Sequence, residues 1–289
     1  GAAFRVDYLQ GVLILSGPIG TAVSDGGLVS DGTGTFAQNL VVQYEFTPTG
    51  GTGDATAFGG RAEVWATEQL RFGATLMTES TGTGDQQMAG ADIRFQMSER
   101  TFAELEFANT SGPGISRSTS TDGGLSITAT GGGIADASAF RFDSRIDFAD
   151  LGFSRAGYIG VYAEQKNAGF STLSEDITDD QTLYGAEGEI SLSDRLMLKG
   201  YIETFNTDAG ERKDSAEVNL IVDVNPDWQL GLGVEFLDQA VPGNPARTGS
   251  RTDGALRLTY RGFNDVEVFA FGQATLARSG GLSANNRLG

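Results

Sequence analysis

The residues able to do chemistry are carboxylates and guanidinium groups set two positions apart. In 140–148 (FRFDSRIDF), Arg141, Asp143, Arg145 and Asp147 fall on one side of an extended chain, and Phe140, Phe142, Ile146 and Phe148 on the other. Successive side chains of a strand point to opposite faces, so this is one charged face and one oily face. Arg61, Glu63, Arg71, Asp92, Arg94, Glu104 and Glu106 upstream, and Lys199, Glu203, Glu217 and Asp223 downstream, occupy the charged side of the same alternation. Arranged around an enclosed lumen, such charges either select ions and small solutes at a constriction or fill the space as a cross-strand lattice of salt bridges. Acidic and basic residues alternate here and do not segregate, which favours the lattice.

Other chemistry has little to stand on. The chain has no His and no Cys. That excludes His-based triads and dyads, HExxH zinc sites, thiolate metal sites and disulfides. Glu104 and Glu106, like Glu187 and Glu189, are carboxylates two apart, the raw material of a glycosidase pair. Any wet strand face produces the same spacing, so no catalytic residue and no enzyme activity are expected. The acidic loops 174–180 (SEDITDD) and 208–214 (DAGERKD) lack the ligand spacing of an EF-hand, and the Gly run 131–133 has no phosphate-loop Lys. No metal or other cofactor is expected. With 20 basic against 38 acidic residues, for a net charge of −18, there is no basic patch to displace counterions, and nucleic acid is not an expected partner.

The elements that must carry these residues are strands. The oily side of the alternation holds Phe72, Ile93, Phe95, Phe142, Ile146, Leu198, Leu220, Val222, Leu232 and Val234. The period of two predicts strands at 40–47, 57–66, 70–79, 88–97, 102–109, 138–148, 157–165, 182–192, 196–205, 215–224, 228–237, 254–261 and 266–276. Most are about nine to eleven residues, the length that crosses a bilayer when tilted. No run of about 18 apolar residues exists to form a transmembrane helix, and 11–17 (GVLILSG) is too short. The opening GAAFRVDY reads as the start of a mature or excised piece.

The connections alternate in length. Short polar turns fall at 67–69 (TEQ), 98–100 (SER), 193–195 (SDR), 225–227 (NPD) and 262–265 (GFND); long Gly-, Ser-, Thr- and Asp-rich stretches fall at 80–87, 110–137, 166–181, 206–214 and 238–253. The connection 149–156 is intermediate but takes a short-turn slot. Tight turns on one rim and long loops on the other are the layout of membrane barrels. There is also an internal echo: 88–107 and 183–203 share a strand, a Ser-acidic-Arg turn and a second strand.

A soluble β-sandwich alternates too, since one sheet face packs on a core. Here, however, more than a dozen strands would have to fill a single dry core. Inverting the arrangement removes the difficulty: apolar residues face lipid, charges face a lumen, and a closed ladder satisfies every backbone group. Phe102, Phe148, Trp228 and Tyr260 lie near strand ends, where an aromatic girdle sits.

On these strands, turns and charged faces, 40–276 resembles outer-membrane β-barrel proteins of Gram-negative bacteria. Its strand–(Ser-acidic-Arg)–strand units resemble the barrel segments of large bacterial surface proteins. The resemblance implies an all-β fold, a transmembrane antiparallel up-and-down β-barrel of about 14 strands (range 12–16). The count of fourteen takes 4–15 as one kinked strand and places both chain ends on the long-loop side. The expected division is 1–39 as N-terminal strand and loop or partial plug, 40–276 as barrel, and 277–289 as tail. The implied location is the bacterial outer membrane. Expected partners are the lipid bilayer with its lipopolysaccharide and other envelope or surface proteins. The chain ends in SANNRLG, without the closing aromatic strand usual in this class, which suits a segment of a longer polypeptide. The leading expectation is therefore a membrane anchor or structural component of a larger surface assembly. A diffusion porin for small hydrophilic solutes or cations, and a soluble β-sheet adhesin module, stand as alternatives.

Overall fold

The computed structural model describes residues 4–7, 12–15, 28, 57–80, 85–112, 117–119, 128–130, 135–172, 177–263 and 266–289. Strand β1 (Phe4–Asp7) pairs with β2 (Val12–Leu15) in a ribbon of its own, Phe4 opposite Leu15 and Asp7 opposite Val12. The single kinked strand expected over 4–15 is therefore a hairpin: its two four-residue runs pair with each other, not with the main sheet. The strand expected at 40–47 lies outside the described residues.

From residue 57 the chain runs up and down. Strands β3 (Ala57–Trp65), β4 (Leu70–Ser80), β5 (Asp85–Gln96) and β6 (Phe102–Gly112) come first. A small separate hairpin of β7 (Arg117–Thr119) and β8 (Thr128–Thr130) then interrupts the long connection expected there. It is followed by β9 (Ala135–Asp147), β10 (Gly157–Lys166), β11 (Gln181–Ser193), β12 (Leu196–Thr207), β13 (Arg212–Asp223), β14 (Trp228–Ala240), β15 (Gly249–Phe263), β16 (Val266–Gly280) and the two-residue β17 (Arg287–Leu288). Thirteen strands form one antiparallel sheet, each beside its predecessor, with β9 beside β6. The sheet is open, ending at β3 on one side and β17 on the other. Among the described residues there is no α-helix, only a 3-10 turn at Pro245–Arg247.

Four of the short turns share one device. Each of these begins with a residue whose side-chain oxygen accepts from the backbone just ahead, an ST- or Asx-turn. Thr67 Oγ1 accepts from Leu70 N–H (3.0 Å), Ser98 Oγ from Thr101 N–H (3.0 Å), Ser193 Oγ from Arg195 N–H (3.3 Å), and Asn225 Oδ1 from Trp228 N–H (3.0 Å). At the other rim the strands outrun the apolar periodicity. β15 starts at Gly249 and β16 ends at Gly280, where boundaries at 254 and 276 were expected. Hydrophobic alternation stops where both faces become polar, but the backbone ladder needs only N–H and C=O and continues.

The buried side chains of this sheet are mostly polar. Among the described residues six apolar side chains are buried against seventeen polar or charged ones, the inverse of a packed soluble core.

Candidate functional site

The cross-strand register sorts the charged residues onto one face. Glu63 lies opposite Gly73, Gly73 opposite Asp92, Asp92 opposite Glu106 and Glu106 opposite Arg141. Arg61, Arg71, Arg94, Glu104, Asp143, Arg145 and Asp147 share that face by strand parity. Across β10 and β11 the same face continues to Lys199, Glu203, Glu217 and Asp223. All fifteen charged residues singled out from sequence therefore stand together. Phe72, Ile93, Phe95, Phe142, Ile146, Leu198, Leu220, Val222, Leu232 and Val234 occupy the opposite face. The faces differ in exposure in the unexpected sense: Glu217 is 1% exposed and Asp92 6%, while Phe95 and Val234 are each 50% exposed.

At β3–β6 the charges form a ladder. Arg61 reaches Glu63 (2.8 Å) and Asp92 (2.7 Å); Arg71 reaches Asp92 (3.3 Å) and Glu104 (2.7 Å); Arg94 takes the other oxygen of Glu104 (2.7 Å). Both oxygens of Glu104 are thus held by arginines. Gly73 makes room for this network, because a Cβ there would sit 2.2 Å from Asp92 Oδ1. Arg94 and Arg145 also lie over aromatic rings, Phe102 at 3.9 Å and Tyr158 at 3.6 Å, a cation–π contact. Further round, Tyr162 donates to Glu203 (2.7 Å), and Asp223 accepts from Gln229 (2.9 Å).

At β13–β15 the face carries a row of carboxylates. Glu217 is directly opposite Glu235, and Glu235 is opposite Asp253. Asp253 pairs with Arg251 at 2.7 Å, with both side chains almost fully buried. Sequence reasoning left out Glu235, Arg251 and Asp253. Glu235 was visible in the alternation of 228–237, but Arg251 and Asp253 fell in a stretch read as loop.

Three pieces of chain lie on the polar face. Leu28 donates its N–H to Asn219 Oδ1 (3.3 Å), and its side chain fills the place where a Cβ on Gly231 would stand, 2.8 Å away. The segment after β16 turns in at buried Leu282. There Arg251 donates to Ser283 O (3.3 Å) and Asn285 to Asp253 (3.3 Å). The connection after β10 also folds in, packing Phe170 and Ile177 against Ala137. Ser171 N–H there donates to Thr110 (3.2 Å), and Gln86 donates to Ser171 O (3.4 Å). Beside this connection a cleft of about 490 Å³ remains, lined by Arg61, Asp92, Glu106, Arg141 and Lys166 with Met77, Met88 and Phe170.

On the short-turn rim, Asp150 accepts hydrogen bonds from Ser98 and Thr101 (2.5 Å each), tying two neighbouring turns together. Those hydroxyls, aided by nearby Arg100, hold its carboxyl below the usual range. Among the described residues no three acidic side chains converge in a way that could hold a metal ion. No family model matches the chain, and no curated protein or solved structure matches it either.

Proposed function

We propose that this sheet closes into a transmembrane β-barrel of the bacterial outer-membrane type, with its polar face inward and its apolar face against lipid. The barrel serves as the membrane anchor or structural component of a larger surface assembly. The observation that carries the reading is the inverted polarity: Asp92, Asp147, Glu217, Glu235, Arg251 and Asp253 are buried while Phe72, Phe95, Leu232, Val234 and Phe236 stand exposed on the other face. In water each large side chain left unburied forgoes roughly 1.5–3 kcal/mol, and soluble monomers rarely expose a contiguous apolar patch beyond a few hundred Å². Against acyl chains the same face costs nothing.

The apolar run from Trp228 to Phe236 on β14 covers about 26 Å of strand. At a tilt of about 40° that is a band about 20 Å tall, close to the apolar band of such barrels. At its short-turn end, Trp228 stacks near Tyr260 (4.8 Å), and Tyr260 near Phe263 (5.0 Å), the amphipathic rings favoured at a headgroup boundary.

The salt-bridge ladder and the three inserted pieces support an anchor over an open channel. The cleft beside Phe170 favours the second reading, a diffusion path for small hydrophilic solutes. Reconstitution into planar bilayers separates the two. Insertion without current is expected for the anchor, and a stable open current would establish the pore. A monodisperse, detergent-free protein that does not partition into vesicles would defeat both.

A further inference from the structure

Two strand edges are left over, and they fit each other. β3 ends one side of the sheet. On the other side β17 pairs with β16 across Gly272 and Gln273, and Gly289 bonds Phe271 in both directions. Among the described residues, β16 from Val266 to Ala270 has no strand on that outer side. Bare edges cannot persist in hydrocarbon, where each unsatisfied backbone group costs several kcal/mol.

Direction, hydrogen-bond phase and stagger agree on a remedy. The twelve long strands from β3 to β16 alternate in direction, so β3 and β16 are antiparallel. Ala66 N–H bonds Leu70 O, so the even-numbered residues of β3 turn their amides toward β4, and Gly59 and Arg61 turn theirs into the gap. Phe271 bonds Gly289, so Glu267 and Phe269 of β16 also turn into the gap. Arg61 and Glu267 belong to the polar face, the latter through its contacts with Arg257 (3.3 Å) and Arg261 (3.1 Å).

The stagger is the third element. The row of directly opposed residues that begins at Glu63, near the short-turn end of β3, passes Asp92, Arg141 and Lys213. It meets β16 at Gly280, the far end of that strand. Bringing the short-turn rims level moves the row 13–15 positions along β16, an offset of about 12–14 residues once the extra β16 residue at the Thr252/Asp253 register shift is discounted. At about 3.3 Å per residue, against twelve strands about 4.8 Å apart, this is a tilt of roughly 35–39°, within the range of closed barrels. The smaller offset sets Glu63 against Glu267, which like-charge repulsion disfavours; the larger sets Arg61 against Glu267.

We infer that β3 and β16 pair edge to edge, with Arg61 opposite Glu267, Gly60 opposite Val268 and Phe58 opposite Ala270. Residues 287–289 cover the next stretch of β16, so the seam is shared between β3 and the chain's own C-terminal segment. The inference rests on the closed-barrel reading above but not on what lies outside the barrel.

The chain has no Cys, so paired cysteines report cleanly. Gly60 and Val268 would be a non-hydrogen-bonded pair, whose side chains stand closest and whose Cα spacing suits a disulfide. A Cβ on Gly60 meets nothing within 4 Å. The control is Leu232→Cys with Leu256→Cys, opposed in the sheet already described. In the detergent preparation in which the control pair oxidises, Gly60→Cys with Val268→Cys should form an intramolecular disulfide. It should form at least ten-fold faster than Gly60→Cys with Ala270→Cys, read on non-reducing gels. Faster closure of the Ala270 pair would overturn the register. A disulfide-linked dimer would assign the edges to neighbouring copies and overturn the seam. No product with a normal control would show that another segment, such as 40–47, covers β3. Failure of the membrane reading registers separately, as solubility without detergent.

Discussion

The polar face behaves differently in its two halves. Around β3–β9, Arg61 is 39% and Arg141 58% exposed at the side chain, and the ion pairs stand partly in solvent. Around β13–β15, Glu217, Glu235 and Asp253 are at most 2% exposed. Alternation and parity are the same in both halves, although the strands run 9–13 residues in the first and 12–15 in the second. The difference is where the cover falls: Leu28 and the segment after Gly280 lie over the charged row of the second half, whereas the connection after β10 packs on the long-loop end of the first, at Gln86, Thr110 and Ala137. A charge ladder in water and a charge row under a lid obey different energetics, because exposed pairs are screened and buried ones are not.

The contrast is sharpest at Asp253. Asp253→Ala removes the carboxylate paired with Arg251, which is 4% exposed, and should cost about 3–5 kcal/mol, measured by urea titration in detergent or lipid. On the other face, Val234→Arg should cost about 2–4 kcal/mol in a bilayer. In a water-facing sheet a half-exposed site would change by no more than about 0.5 kcal/mol, so the same titration tests which medium Val234 meets. Gly231→Val should displace Leu28 and cost about 1–3 kcal/mol. It should also raise proteolysis of the N-terminal region, read by mass spectrometry of the fragments. In the open half, Glu63→Ala removes one exposed partner of Arg61 and should cost no more than about 1 kcal/mol. A loss there comparable to that at Asp253 would erase the distinction between the halves.

The smallest effect concerns pH. The Asp150 carboxyl is held below its ordinary value by the Ser98 and Thr101 hydroxyls. A depressed folded-state value means the stabilisation is fully present above the unfolded pKa and is lost as pH falls through the folded one. Asp150→Asn should therefore lower stability slightly near neutrality and leave it almost unchanged at low pH, flattening the acid limb of the stability–pH curve, followed by midpoints of thermal unfolding between pH 2 and 7.

Much of this was legible beforehand, for local reasons. The twelve strands expected from 57 onward coincide with the long strands of the sheet, because a period of two is written in adjacent residues. The turns at 67–69, 98–100, 193–195 and 225–227 were legible through Thr67, Ser98, Ser193 and Asn225, whose oxygens act within three residues. The hairpin in 4–15 was not legible because runs as short as FRVD and VLIL read as strand whether they pair with each other or with a sheet. Arg251 and Asp253 were missed because their strand extends past the last apolar residue that marked it.

The amino-acid order by itself determined that the chain is all-β and two-faced, and which fifteen charges share a side. Those properties need only the alternation of side chains along an extended backbone. Which carboxylate meets which guanidinium, and that Leu28 sits at Gly231 and the 282–285 stretch over Asp253, were decided by tertiary structure alone. Those contacts join positions far apart in the chain, and only the folded geometry sets which of them close.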